Sequence, residues 1–246
     1  SSSIAENSAA NSAVGTLSTT DPDAGDTFTY TLVTGTDDTD NDSFNISGNS
    51  LRATSSFDFE TKPSYTVRVR TTDQNGLFVE KAFAIQVVNV NESPTDISLS
   101  SNSIAENAGP NASVGTLSTA DVDAGNTFVY SLVAGAGDTD NDSFNISGNS
   151  LRAIDSFNFE TKSSYTIRVR STDQEGLFTD KNFTISVTNV NETPTDIGVS
   201  SSSIAENSAA NSAVGTLSTT DPDAGDTFTY TLVTGTDDTD NDSFNI

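Results

Sequence analysis

A string of antiparallel β-sandwiches is the fold class that the sequence predicts, and three observations predict it. The chain repeats itself with a period of 100: residues 1–100 and 101–200 differ at 30 positions, hence share 70, without a gap, and residues 201–246 repeat residues 1–46 unchanged. Such a period fixes the unit of folding before any single residue is interpreted. Within each copy apolar residues alternate with polar ones at period two, and clusters of Gly, Pro, Asn and Asp separate the runs. No helical periodicity of useful length occurs, so the class is all-β.

Each copy is expected to hold seven short strands. Ile97 and Leu99 alternate with small polar residues before Ile104-Ala105-Glu106-Asn107, as Ile4-Ala5-Glu6-Asn7 stands in the first copy, which predicts one strand ending at a polar corner. Val14-Gly15-Thr16-Leu17-Ser18 is short, β-branched and followed by an Asp-Pro-Asp-Ala-Gly turn, and makes the second. Thr27 to Leu32 places Phe28, Tyr30 and Leu32 on one face. An acidic loop, Asp37 to Asp42, precedes Phe44-Asn45-Ile46, and Gly48-Asn49 reads as a tight turn into Leu51-Arg52-Ala53. Tyr65, Val67 and Val69 face inward on the sixth strand while Arg68 and Arg70 face water, and Phe83, Ile85 and Val87 repeat the pattern on the seventh.

The copies are joined by Val88-Asn89-Val90-Asn91-Glu92-Ser93-Pro94-Thr95-Asp96-Ile97, which returns as Thr188-Asn189-Val190-Asn191-Glu192-Thr193-Pro194-Thr195-Asp196-Ile197. Polar residues and a proline between alternating runs mark an inter-domain connector. The expected domains are therefore 1–93, 94–193 and an incomplete 194–246, and the stop at Ile246 in mid-pattern is expected to make the chain a window on a longer array. Residues 201–246 end after the fourth strand and hold no counterpart of the fifth, sixth and seventh, so that segment is expected to be ordered only with strands supplied from elsewhere.

Asp and Glu number 35 against 10 Lys and Arg, a net charge of −25 that opposes nucleic acids and anionic membranes and favours cations. Cysteine is absent, so disulfides cannot support the domains, and no run approaches the length of a membrane-spanning helix. The chain also lacks His, Met and Trp, which removes most nucleophile–base pairs and the soft metal ligands, and its acids cluster with other acids rather than in an apolar cleft. An enzyme is not expected.

Hard cations require many oxygen ligands, and Ca2+ takes six to eight of them. Five stretches per copy supply oxygens: Ala5-Glu6-Asn7, Asp21 to Asp26, Phe57-Asp58-Phe59-Glu60, Thr72 to Gly76, and the connector Asn89-Val90-Asn91-Glu92. Each alone reads as a solvated turn; recurring in fixed order they point to cation sites.

In that order the stretches resemble the motifs of cadherin repeats, and more closely those of cadherin-like tandem domains in large bacterial surface adhesins, across all 246 residues. The family's x-Glu-x matches Glu6 and Glu106, and its Asp-x-Asp matches Asp21 with Asp23, Asp121 with Asp123, and Asp221 with Asp223. Its Leu-Asp-Arg-Glu is similar to Phe57-Asp58-Phe59-Glu60 and Phe157-Asn158-Phe159-Glu160, its later aspartate to Asp73 and Asp173, and its Asp-x-Asn-Asp linker to Asn89-Val90-Asn91-Glu92. The resemblance implies Greek-key, immunoglobulin-like sandwiches with Ca2+ at each junction. It names Glu6, Asp58, Glu60, Asn91, Glu92, Asp121, Asp123 and Asp173 for the first junction, and Glu106, Glu160, Asn191, Glu192, Asp221 and Asp223 for the second. Asn89 and Glu92 stand where the family has Asp, and Asn158 replaces the acid found at Asp58, so the second junction is expected to bind calcium more weakly. With no Trp, adhesion by exchange of a tryptophan-bearing strand is not expected. The function implied is that of an extracellular, calcium-stiffened spacer in a cell-surface adhesin. The alternative is a subunit of a self-associating filament or biofilm-matrix fibre, which ordered bundles under the electron microscope would reveal.

Overall fold

The computed structural model describes residues 2–246, and Cα proximity divides the chain into two compact units. One comprises Ser1–Asp96 with Ala120–Phe128 and Thr172–Thr179; the other comprises Ile97–Thr119, Val129–Ser171 and Asp180–Ile246.

In the first unit lie β1 (Ser3–Ala5), β2 (Ala13–Thr16), β3 (Phe28–Leu32), β4 (Phe44–Ser47), β5 (Ser50–Ala53), β6 (Ser64–Asp73) and β7 (Phe78–Val88). They form two sheets, β1-β7-β6-β3 and β2-β5-β4, with β1 parallel to β7. The alternation read from the sequence is the core: Ile4, Val14, Phe44, Leu51, Phe57, Val67, Val69, Ile85 and Val87 are all buried. Phe57 stacks on Tyr65 at 4.3 Å between ring centroids, and Phe44 tilts against Phe57 and meets Tyr65 edge-on. The hairpin joining β4 and β5 turns on Gly48, whose φ of +63° fits the first central position of a two-residue turn.

The second unit repeats this plan with one change. β8 (Asp96–Leu99) and β9 (Ser103–Ala105) precede β10 (Ser113–Ala120), β11 (Val129–Leu132), β12 (Phe144–Ser147), β13 (Ser150–Ala153), β14 (Ser164–Thr172) and β15 (Phe178–Thr188), in sheets β12-β13-β10-β8 and β11-β14-β15-β9. The single opening strand expected from sequence is thus two: β8 joins one sheet and β9 pairs in parallel with β15 in the other. Ser101 makes the corner, its hydroxyl accepting from Ser103 N–H, so the chain changes sheets where no apolar residue resists it. β16 (Asp196–Val199) and β17 (Leu217–Thr220) then pair alone. Among the described residues no helix is long and apolar enough to cross a membrane.

Three copies of Val-Gly-Thr-Leu-Ser-Thr show how far context decides the strand. In β2 only the first half is strand, paired with β5; in β10 the whole segment is strand, held by β13 and β8; in β17 only the second half is strand, held by β16. The sequence permits extension and a neighbour imposes it. Burial follows: Ile97 is fully buried in its sheet, whereas Ile197 is 65% exposed.

Arg68 and Arg70, expected on a solvated face, are half-buried, both bonding Glu80 at 2.9 Å through their Nε atoms. These hydrogen bonds, Arg70's first, hold the Glu80 carboxyl below its ordinary range against the opposing effect of burial. The acidic loop is likewise structural. Asp140 bonds Lys162 and accepts Thr166 N–H at 2.8 Å, while Asn141 accepts Arg168 N–H at 3.0 Å, so the loop is fastened to β14. Burial would raise the Asp140 carboxyl, but the Lys162 and Thr166 hydrogen bonds hold it below 3.8. A depressed carboxyl stabilises the fold above its unfolded pKa and loses that effect as pH falls through the folded value. Asp140→Ala should therefore cost about 1–3 kcal/mol at neutral pH, the usual penalty for an abandoned buried donor, and the gap from the parent in denaturant titrations should narrow at acid pH.

Candidate metal centres

Glu6 follows β1 directly, and the fold buries it to 3% exposure with both oxygens held by backbone: Oε2 accepts Phe59 N–H at 2.8 Å and Oε1 accepts Val90 N–H at 2.7 Å. One carboxylate thereby ties the turn after Phe57 to the connector after β7. That arrangement carries Glu60 and Glu92 to Glu6, and one oxygen from each of the three lies within 4.8 Å of the others. Asn7, in the left-handed region at φ 57°, donates to Glu92 Oε1 at 2.8 Å and fixes its direction.

The connector bonds two more acids in the same unit, and a third stands beside one of them. Glu92 N–H donates to Asp123 Oδ2 and Asn91 Nδ2 to Asp173 Oδ2, each at 2.7 Å. Asp121 Oδ1 accepts Asp123 N–H at 3.0 Å, a tight turn that sets the pair side by side. Asp173 Oδ1 accepts the N–H groups of Glu175, Gly176 and Leu177. Burial works to raise the Asp173 carboxyl, yet the Asn91 bond and these N–H groups leave it lowered and ionised. After these bonds are made, Asp121 Oδ2 and Asp123 Oδ1 remain buried without a hydrogen-bond partner.

The second unit builds the same centre. Glu106 is 2% exposed and accepts Phe159 N–H at 2.8 Å and Val190 N–H at 2.7 Å. Asn107 donates to Glu192 Oε1 at 2.7 Å, and Glu192 N–H donates to Asp223 Oδ2 at 2.5 Å. Here four acids converge, Glu106, Glu160, Glu192 and Asp223, with ligand oxygens within 4.8 Å of one another. Glu192 Oε2, Asp221 Oδ2 and Asp223 Oδ1 are buried and unpartnered.

Such packing is unfavourable by itself. Two like charges 4 Å apart repel by about 1 kcal/mol in water and about 4 kcal/mol near a protein surface. The glutamates register it: burial, and after it the charges of Glu6, Asp123 and Glu92, raise the Glu60 carboxyl against the opposing bond from its own N–H. For Glu160 its own N–H bond lowers the carboxyl most, but burial with Glu106, Glu192 and Asp223 leaves it raised. A divalent cation reverses this balance, and carboxylate oxygens without donors are the ligands that a hard cation takes.

Several residues named from sequence stand apart. Asp58 gives Oδ1 to Thr61 N–H and Oδ2 to the Thr61 hydroxyl, both at 2.8 Å, and these bonds, the backbone one first, lower its carboxyl. Asn158 makes the same turn with Thr161 N–H at 2.6 Å. Asn191 donates to Glu192 O, and Asp73 Oδ1 caps its own turn by accepting Asn75 and Leu77 N–H. Asp21 and Asp23 group with Asp26, as Asp221 and Asp223 group with Asp226. Asp26 lies in the oxygen-rich stretch read from sequence, but neither it nor Asp226 was named there as a ligand; the signal is an acid three residues beyond Asp-x-Asp, on the same turn.

No family model matches the chain. Solved structures do resemble it: the protocadherin gammaB4 extracellular domain, at TM-score 0.61 and 24% identity over 91% of this chain and 36% of that one; protocadherin gammaB2 extracellular cadherin domains 1–5, at 0.61 and 21% over 91% and 45%; and the human desmocollin-1 ectodomain, at 0.58 and 20% over 78% and 41%. The chain thus spans less than half the length of these structures. At such identities the likeness is one of fold, a cadherin-like β-sandwich.

Asp58→Ala should lower stability by about 0.5–2 kcal/mol through loss of the bonds to Thr61, while Asp58→Asn, which keeps an acceptor for Thr61 N–H as Asn158 does, should cost less. Denaturant melts of the two variants check this.

Proposed function

We propose that the chain is part of an extracellular array of cadherin-like repeats whose acidic centres bind Ca2+, and that the bound ion fixes the joint between successive repeats. The observation that carries the reading is the set of buried carboxylate oxygens without donors, on Asp121, Asp123, Asp221 and Asp223 with Glu192, beside converging glutamates. Glu6, Glu60, Glu92, Asp121, Asp123 and Asp173 would hold the ion in the first unit, and Glu106, Glu160, Glu192, Asp221 and Asp223 in the second. Asn91, bonded to Asp173 and Asn126, positions its connector. The ligands of each centre come from two copies and the connector between them, whereas every complete copy has its own apolar core. Calcium therefore acts on the joint more than on the sandwich. An ion at about a hundred times its dissociation constant adds about 2.7 kcal/mol to the geometry that binds it.

The resemblance of the motifs to bacterial surface proteins supports a spacer in a large adhesin, with the adhesive ligand bound elsewhere. The exposure of Leu77 and of Phe78 and Val79, which open β7, favours filament assembly as a second reading.

Calorimetric titration of the 246-residue chain with CaCl2 should show saturable binding. Glu92→Gln with Glu192→Gln should weaken it at least tenfold, because each change removes a charge from a centre whose affinity follows ligand charge. Small-angle scattering should differ between calcium and chelator. Unaltered scattering together with absent heats would refute the proposal.

A further inference from the structure

Residues 201–246 repeat residues 1–46 without a change, yet the two segments stand in different states. In the first copy β1 pairs with β7, β3 with β6, and both β2 and β4 with β5, so each of these strands finds its neighbour within Ser50–Val88. In the third copy residues 203–205, 228–232 and 244–246, the counterparts of β1, β3 and β4, are not strand. Phe44 is 4% exposed and its counterpart Phe244 is 54% exposed. Side chains that build the core of the first copy here line an open groove of about 920 Å3, among them Ile204, Val214, Tyr230, Leu232, Phe244 and Ile246.

The turns around the groove already have the form they take in the first copy. Gly235 N–H donates to Asp238 Oδ2 at 2.8 Å, as Gly35 N–H does to Asp38 at 2.8 Å. Asn241 Nδ2 donates to Val233 O at 2.9 Å, as Asn41 does to Val33 at 2.9 Å. Asn245 Nδ2 donates to Asn211 Oδ1 at 3.0 Å, as Asn45 does to Asn11 at 3.2 Å. The segment sets these turns by itself, and strand pairing is what it lacks.

Charge singles out the occupant. Residues 201–246 hold eight acids and neither Lys nor Arg, whereas residues 47–93 hold every base of the first copy: Arg52, Lys62, Arg68, Arg70 and Lys81. In the first copy two of these meet the acidic loop. Lys62 bonds Asp40, Arg68 N–H donates to Asn41 Oδ1 at 2.9 Å, and Arg68 Nη1 donates to Thr36 O at 3.0 Å. Asp240, Asn241 and Thr236 repeat that loop without the strand that supplies these donors.

We infer that residues 201–246 are an acceptor surface for a second polypeptide, one that presents the later half of such a repeat, and that it docks by strand addition in the register of the first copy. The incoming chain is of stated chemistry: three successive strands with Leu51, Val67, Val69, Ile85 and Val87 on the inner face and the bases toward the acidic loop. Backbone hydrogen bonds supply the affinity of such an addition, and the groove selects the alternate side chains. Turns that are already in place reduce the ordering that docking requires. The surface goes beyond the calcium reading, since no acid of the metal centres lines the groove.

The test adds a polypeptide of residues 47–93, diluted from denaturant, to the folded 246-residue chain and follows complex formation by sedimentation. The sequence holds no cysteine, so a single introduced pair reports register: Thr229→Cys in the chain with Thr72→Cys in the polypeptide, the counterpart of Thr29 facing Thr72. The expected result is one polypeptide per chain. Oxidation should join the Thr72→Cys polypeptide at least about tenfold more than one carrying Thr66→Cys, which lies nearer the start of β6. Phe244→Ala in the chain should weaken binding at least about tenfold, as the loss of a buried aromatic side chain does. Absence of a complex overturns the inference, as does a polypeptide that precipitates equally with and without the chain. Equal cross-linking of Thr72→Cys and Thr66→Cys, or binding unaltered by Phe244→Ala, overturns it as adhesion without register. A dimer of the chain that excludes the polypeptide overturns it too.

Discussion

The connectors depend on carboxylates held close together, Glu6, Glu106, Asp123, Asp173 and Asp223 among them buried and Glu60 and Glu160 exposed. Glu6 and Glu106 are nearly inaccessible, and each spends both oxygens on backbone N–H groups of two separate segments, Phe59 with Val90 and Phe159 with Val190. A buried carboxylate so bonded is satisfied. The acids it gathers are not: Asp123 and Asp223 each give one oxygen to a connector N–H and keep one with no donor. Desolvation and mutual repulsion both oppose that arrangement, and a divalent cation removes both objections together.

The division of labour between sandwich and connector follows from the same geometry. The cores are apolar and self-contained, built on Phe44, Phe57, Val67 and Ile85 in one unit and on Phe144, Phe157, Ile167 and Ile185 in the other. Nothing in them calls for a metal. In the connectors, by contrast, Val90 and Val190 are each 44% exposed. Val90 and Glu92, like Val190 and Glu192, are placed by hydrogen bonds from their N–H groups to buried carboxylates.

Much of this was legible in the sequence, and what was not has definite causes. Period-two alternation located the core strands, because burial of one sheet face demands it whatever the neighbours do. It could not show that residues 96–105 change sheets at Ser101, nor that Val-Gly-Thr-Leu-Ser-Thr extends differently in three copies, since those outcomes are set by which edge lies alongside. Residue type alone put Arg68 and Arg70 on a solvated face; the cross-strand register that brings them to Glu80 is a property of the sheet. At the centres, Glu6, Glu60, Glu92 and their repeats were readable as oxygen donors in fixed order. The backbone donors that orient Glu6 leave no trace in composition. Asp58 was named as a ligand by its motif, and the Asp-x-x-Thr spacing behind its bonds to Thr61 stood in the same stretch.

The central claim is that the unpartnered oxygens of Asp123 and Asp223 are cation ligands. Crystals of the chain grown with calcium, and equivalent crystals with terbium replacing it, would test this by anomalous diffraction. The account predicts peaks at about 2.3–2.6 Å from Asp123 Oδ1 and Asp223 Oδ1. Ordered water hydrogen-bonded to those two oxygens at saturating calcium, with no anomalous peak beside either, would contradict it.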